Sequence, residues 1–256
     1  MTRKIGLARA LSKLGYCSRS RAAEMIRAGR VSLNGKIKRD PETPVSEKQN
    51  HVAVDGKVIE VQPSIYLAMN KPSGVLTTAS DEKGRQTVYG VLEKNVKCEG
   101  TALGQRQPWV APVGRLDKAS EGLLLLTNDS AWAARVTAPE THLNKTYHVQ
   151  VGTVADDEFI QALLRGVRTK DGEVLRAKQA RLLRAGQKNC WLEIILDEGK
   201  NRQIRRMMEN LGVEVLRLIR VAIGPLQLGN LAKGECRVLT MEERRMLDAV
   251  EREKTS

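Results

Sequence analysis

Residues 114–129 read GRLDKASEGLLLLTND, and the change of character inside this stretch decides what kind of fold the chain builds. Leu123, Leu124, Leu125 and Leu126 form an unbroken aliphatic run closed by Thr127-Asn128-Asp129. A short apolar run bounded by turn residues describes a buried strand. Ahead of it, Gly114 to Gly122 is a turn-rich loop carrying Asp117 between Arg115 and Lys118. Neighbouring cations hold an Asp ionised at neutral pH, the state a carboxylate nucleophile needs. A loop Asp is equally a turn-maker or helix cap, so the stretch alone leaves both roles open.

Working outward, short apolar runs predict strands over 65–69, 75–78, 146–151, 191–196, 213–223 and 236–239 as well as 123–127. Helical spacing predicts helices near 130–136, 156–164, 201–211 and 241–251. Strands outnumber helices and several are joined by short turns, so an α+β domain with a mixed, mainly antiparallel sheet is expected over 63–251. Residues 93–110 lack periodicity and read as a loop that could modify access to the Asp117 motif.

The other end of the chain has a different grammar. Leu7, Ala10, Leu11 and Leu14 recur at helical spacing and stop at Gly15; Ser18 or Ser20 can cap a second helix with Ala22, Ala23 and Ile26 inward and Gly29 at its end. Asn34-Gly35 and Asp55-Gly56 each follow an alternating run and predict tight hairpins. Residues 1–62 are therefore expected to form a small helix-helix-β unit, with a linker near 61–64. This unit is strongly basic: residues 1–39 hold eleven Lys or Arg, among them Arg9, Lys13, Arg19, Arg21, Arg27 and Lys36, against the single acid Glu24. That +10 is most of the whole chain's +13 and points to an anionic partner.

Composition removes other classes. No aliphatic run approaches the ~20 residues of a spanning helix and the N-terminus lacks an apolar signal core, so a cytoplasmic protein without membrane contact is expected. Cys17, Cys98, Cys190 and Cys236 are far apart and read as small hydrophobes, and His51, His142 and His148 are too scattered for a triad or a metal site. The phosphate-cradling and hydrolase motifs are missing. With aromatics at 3%, base-stacking platforms are disfavoured, and any chemistry falls to carboxylates, Tyr, Lys or Arg.

Residues 198–212, EGKNRQIRRMMENLG, sharpen that conclusion. A Gly-containing turn enters a helix whose start carries Arg202, Arg205 and Arg206, against the sense of the helix dipole. A solvated basic face is one reading; an anion at that helix start is the other.

Taken in order, GRLDKASEGLLLLTND, NKTYHVQV (144–151), EGKNRQIRRMMENLG and VLRLIRVAIGPLQL (215–228) resemble the RsuA/RluB/RluE/RluF family of bacterial ribosomal-RNA pseudouridine synthases. Residues 7–36, LARALSKLGYCSRSRAAEMIRAGRVSLNGK, resemble the alpha-L RNA-binding domain found in a small-subunit ribosomal protein and tyrosyl-tRNA synthetases. Together they cover about 5–240. The resemblance implies isomerisation of uridine in ribosomal RNA, by preference of the large subunit, with no cofactor or metal. It makes Asp117 the catalytic carboxylate, Tyr147 the ring that stacks on uracil, and Arg205 the partner of Asp117, with Arg202 and Arg206 as alternatives one turn away. Arg115, Arg202 and Arg206 are implied RNA contacts, with Ile219 or a neighbour beneath the base. The partner is ribosomal RNA or a pre-ribosomal particle, and the chain is expected to act as a monomer. Two alternatives keep the fold: a non-catalytic RNA-binding assembly factor and a transfer-RNA pseudouridine synthase.

Overall fold

The computed structural model describes residues 4–46, 51–79, 81, 83–94, 108–141 and 143–249. Cys98, His142 and most of the expected 93–110 loop, residues 95–107, lie outside the described residues.

In the N-terminal unit, β1 (Lys4–Gly6) leads into α1 (Leu7–Lys13) and α2 (Arg19–Arg27), followed by β2 (Val31–Leu33), β3 (Lys36–Lys38), β4 (Pro44–Ser46), β5 (Val52–Val54) and β6 (Lys57–Val58). The Ser18 side chain caps α2 by accepting from the Arg21 amide at 3.2 Å. Gly15 and Gly29 end the two helices at φ of 72° and 74°, in the left-handed region. The two hairpin turns have both central residues at positive φ, 51° and 78° for Asn34-Gly35 and 49° and 78° for Asp55-Gly56, as the twist of a two-residue hairpin demands. β3, β2, β5 and β6 then form one antiparallel sheet, and Leu7, Leu11, Ala22, Ile26, Val31 and Val54 bury a core of their own.

The larger unit begins with β7 (Tyr66–Lys71) and α3 (Val88–Lys94), and continues through β8 (Ala111–Val113), β9 (Glu121–Thr127), α4 (Ser130–Thr137), β10 (Lys145–Val151), α5 (Asp157–Arg165), β11 (Val167–Arg168), β12 (Val174–Leu175), β13 (Gln179–Ala185), β14 (Cys190–Leu196), α6 (Gln203–Asn210), β15 (Val215–Ile223), β16 (Leu226–Gln227), β17 (Cys236–Val238) and α7 (Met241–Ala249). The main sheet runs β13-β14-β10-β15-β9-β7-β17, with β8 and β16 attached to β9 and β15. All its described ladders are antiparallel except β9 with β15, which pairs Ile219 with Glu121 and Arg220 with Gly122. The expected mixed, mainly antiparallel α+β architecture is therefore the observed one.

β9 is buried along its whole length because both its faces are covered. Leu123 and Leu125 pack with Trp132, Val136 and Leu247 of α4 and α7, while Leu124 and Leu126 pack with Val88 and Val91 of α3. On the other half of the sheet, Val149, Val151, Leu192, Ile194 and Leu218 share a core with Leu163 of α5 and Ile204, Met207 and Met208 of α6.

One expected strand is absent. Residues 75–78 make only an isolated bridge, Leu76 with Thr87, just after Gly74 turns the chain at φ 85°, and the Thr77 hydroxyl is spent on the Leu116 carbonyl. The units meet where the Trp109 amide donates to the Gly15 carbonyl at 2.8 Å, and Asn128 clasps the intervening chain, donating to the Pro63 carbonyl and accepting from the Ile65 amide.

Candidate active site

Asp117 lies on the loop between β8 and β9, and that loop is pinned from below. Lys71, the last residue of β7, is fully buried and directs its ammonium at backbone carbonyls: Ser120 at 2.8 Å, Pro72 at 3.0 Å, Asp117 at 3.1 Å and Lys118 at 3.4 Å. The segment 74–77, which takes in part of the failed strand, has a use here, since the Gly74 amide donates to the Lys118 carbonyl at 2.7 Å and the Thr77 hydroxyl to the Leu116 carbonyl at 2.8 Å. The loop also closes on itself, the Ser120 amide donating to the Asp117 carbonyl. With its main-chain carbonyls satisfied from below, the loop leaves the Asp117 carboxylate, a quarter exposed, as the part directed elsewhere.

Burial drives Lys71 down from the ordinary lysine value to about 8, against the opposing pull of Asp117 and Glu121 and with added repulsion from Arg220. Sequence reading missed Lys71 because it lies 46 residues from Asp117 and lysine is an unusual core residue.

Above the loop is the start of α6. Arg202, its N-cap, takes the left-handed conformation at φ 48°, ψ 33°, a strained position for a residue other than glycine. Its Nη1 stands 3.7 Å from Asp117 Oδ2, a long, half-exposed ion pair. Arg205 is more enclosed: its Nη2 donates to the Ala119 carbonyl at 3.1 Å and its Nε is buried without a partner among the described residues. Burial lowers the Arg205 pKa, repulsion from Arg202 lowers it further, and Asp117 acts against both. Sequence reading expected Arg205 to hold Asp117; in the structure Arg202 makes the ion pair and Arg205 holds the loop one turn further on.

Arg206 is directed elsewhere. Its Nη2 binds Glu173 at 2.8 Å and Asp171 at 3.0 Å on the β11–β12 hairpin. The anomaly of a basic helix start is thus relieved by Asp117 on one side and by Asp171 and Glu173 on the other.

Tyr147 stands on β10 opposite Arg220 of β15, which pairs with Gly122 of β9, which pairs with Lys71 of β7. These four positions form one row on one face of the sheet, running from the expected uracil-stacking ring to the lysine that holds the Asp117 loop. Gly122 is required in it: at φ 101° a Cβ would stand 2.3 Å from the Arg220 carbonyl oxygen. Arg220 is only 6% exposed through the same packing, with Nε donating to the Leu123 carbonyl at 2.8 Å and Nη2 unpartnered among the described residues. Ile219, the residue expected beneath the base, faces the opposite side of the sheet from Tyr147, and the Tyr147 side chain packs against two cores, the one with Leu116 and Leu124 and the one with Val149 and Ile194.

Arg115 is exposed two residues ahead of Asp117, and Arg9, Lys13, Arg19, Arg21, Arg27 and Lys36 are all exposed on the N-terminal unit. Arg21 gives one N–H to Glu24 at 2.9 Å. Among the described residues no three His, Cys, Asp or Glu side chains gather as metal ligands would.

A family model described as RNA pseudouridylate synthase matches residues 65–210, and an S4 domain model matches residues 5–49. Ribosomal large subunit pseudouridine synthase B of Bacillus subtilis is 35% identical over 95% of this chain and 96% of its own length. A Rickettsia bellii protein described as an uncharacterized RNA pseudouridine synthase is 39% identical, over 91% of this chain and 96% of the relative. Among solved structures, a pseudouridylate synthase superposes with a TM-score of 0.62 at 27% identity, covering 95% of this chain and 99% of that one.

Proposed function

The chain belongs to the RNA pseudouridylate synthase family, and from that premise we propose that it isomerises uridine in ribosomal RNA of the large subunit, with Asp117 as the attacking carboxylate. The reaction breaks the bond from the sugar C1′ to N1 of uracil, turns the base and joins C1′ to C5; the proton leaves C5 and N1 gains one, so nothing is consumed. Attack by Asp117 on the sugar or on the base needs the same thing, an ionised carboxylate held on a rigid loop. The observation that carries the reading is a single carboxylate on a loop held through its backbone by Lys71 and Arg205, with the Arg202 guanidinium ion-paired to it at 3.7 Å.

In this reading Tyr147 stacks on the flipped uracil. Removing a base from its helix costs a few kcal/mol, which phosphate contacts by the N-terminal unit, residues 1–62, offset. Arg202 and Arg205 divide the work. Arg202, outermost and in a long ion pair, passes to an RNA phosphate when the substrate arrives, and Asp117 then rests against Arg205, whose Nε is free to receive it. Arg115 contacts the RNA beside the loop, and the synthase unit, residues 63–251, acts as a monomer in the cytoplasm.

The test is site-by-site mapping of pseudouridine in ribosomal RNA from cells lacking the gene, complemented with the wild type or with Asp117→Asn. One or more large-subunit sites should vanish on deletion, return with the wild type and stay absent with the variant. Identical maps in all strains would overturn the enzyme reading and favour an assembly factor; a change confined to transfer RNA would move the substrate.

A further inference from the structure

The half of the sheet formed by β13, β14, β10 and β15 is covered on one face by α5 and α6. Among the described residues no helix covers its other face. Strand alternation puts His148, Gln150, Trp191, Glu193, Arg217 and Ile219 on that side, opposite Tyr147 and Leu192, and none of the six is buried. The edge strand β13 adds Arg181, opposite Glu193, and Arg184, opposite Trp191.

Two features make this face more than a solvated surface. The first is a charge imbalance as seen from solvent. Among the described residues its carboxylates are Glu193 and Glu121, with side chains only 18% and 8% exposed, whereas Arg181, Arg217 and Lys233, which bind them, are 68%, 44% and 54% exposed. Arg181 uses Nε for Glu193 at 2.6 Å, so its outer edge is not consumed. Arg184 has no carboxylate partner among the described residues. The second feature is the indole of Trp191, which has the guanidinium carbon of Arg184 5.1 Å and that of Arg217 5.6 Å from its centroid. A guanidinium over an aromatic ring is held by cation–π attraction, and its planar edge remains available for paired hydrogen bonds to an oxyanion. The indole thus orders two long side chains that would otherwise lose entropy on binding.

We propose that this open sheet face is a second RNA-backbone surface, with Arg184 and Arg181 contacting phosphates and Trp191 holding the guanidinium array in place. It is separate from the basic N-terminal unit, and it reaches the catalytic loop from behind, because Arg217 and Lys233 both bind Glu121, the residue that follows Ser120. The inference rests on the substrate being RNA, whose evenly charged backbone can extend from the target uridine around the sheet edge. Contacts of this kind position a long RNA without reading its bases.

The test follows binding of a transcribed large-subunit ribosomal RNA to the full chain across a salt series, with turnover at saturating RNA measured alongside. Arg181→Gln with Arg184→Gln is expected to weaken binding about tenfold and to flatten the slope of log affinity against log salt by ~1.4, two phosphates at ~0.7 each. Trp191→Leu keeps every charge and should weaken binding about threefold at nearly constant slope, since cation–π ordering and not charge is lost. Arg244→Gln with Arg245→Gln, which removes equal charge from α7, should have little effect. An unaltered slope in the β13 variant, an equal loss in the α7 control, or displacement of the RNA by polyglutamate at matching charge would overturn the proposal. Wild-type binding that is lost in the β13 variant without any pseudouridine being formed would overturn the proposed function and leave the surface standing. Wild-type turnover with unchanged binding in the variant would do the reverse, and a wild type that binds no RNA would remove both.

Discussion

Lys71→Met removes one ammonium while keeping a side chain of similar volume, and its effect can be worked from the bonds it breaks. Three N–H groups serve four carbonyls, three of them in residues 117–120. Charged hydrogen bonds are worth ~1.5–3 kcal/mol each, so the loss is roughly 5–9 kcal/mol. Against this stands the cost of burying the charge which, net of the attraction of Asp117 and Glu121, lowers the lysine from 10.5 to about 8, about 3 kcal/mol. The net destabilisation is then ~2–6 kcal/mol, or a drop of roughly 6–18 °C in melting temperature for a unit of this size. The loop it frees carries Asp117, and a displacement of about 1 Å at a reacting group costs about 10²-fold in rate. Calorimetry gives the first quantity, and release of tritium from C5-labelled uridine in RNA gives the second. The two respond to pH with opposite signs. Between about pH 8 and 10.5 the unfolded chain binds the proton and the folded one does not, so this group's contribution to stability rises with pH. Turnover instead falls through about pH 8 as the amine loses one donor and its charge. A Lys71→Met enzyme with wild-type melting temperature and turnover, or a wild-type alkaline limb that persists in the variant, would refute the role given to Lys71.

Arg205→Gln should lower kcat by about 10²-fold with KM little changed, while Arg202→Gln should raise KM about tenfold and leave kcat within a few-fold; equal losses of kcat would make Arg202 the working partner of Asp117. Gly122→Ala forces a methyl group to within 2.3 Å of the Arg220 carbonyl oxygen at φ 101° and should destabilise the synthase unit by ~3–5 kcal/mol, read by denaturant unfolding. Replacing Arg19, Arg21 and Arg27 by Gln should flatten the salt dependence of RNA binding by ~2 and spare turnover at saturating RNA; an unchanged slope would remove the N-terminal unit from RNA binding.

What was legible in the sequence was what local chemistry determines. Asn34-Gly35 and Asp55-Gly56 specify their turns through two residues each, Ser18 and Gly15 mark helix ends, and the Leu123–Leu126 run is a buried strand wherever it is placed. The strand expected at 75–78 failed because its residues serve a clasp around the Asp117 loop, a tertiary use that periodicity does not register. β13 escaped notice for a related reason: QARLLRA is an edge strand with an open face, and its apolar pattern is weak. Within the site, GRLD and NRQIRR drew attention through charge. The division of labour among Arg202, Arg205 and Arg206 depends on acceptors far away along the chain, the Ala119 carbonyl lying 86 residues from Arg205 and the Asp171 carboxylate 35 from Arg206. Lys71 and Arg220 had no signal beyond being cations inside apolar strands.

The single parallel ladder has a mechanical consequence. On either side of it the sheet is joined by ladders of six or seven residue pairs, β7 with β9 and β10 with β14, whereas across it only Glu121 and Gly122 meet Ile219 and Arg220. A plate that is stiff at both ends and narrow in the middle bends at the middle. The loop bearing Asp117 is attached at that line, α6 with its two guanidiniums belongs to one half, and Lys71 belongs to the other. Thermal flexing of the sheet therefore changes the spacing between the carboxylate and its cations before it disturbs either core, and amide exchange should begin at residues 121–122 and 219–220 while the flanking strands remain protected. A bound RNA touching both halves would act as a splint.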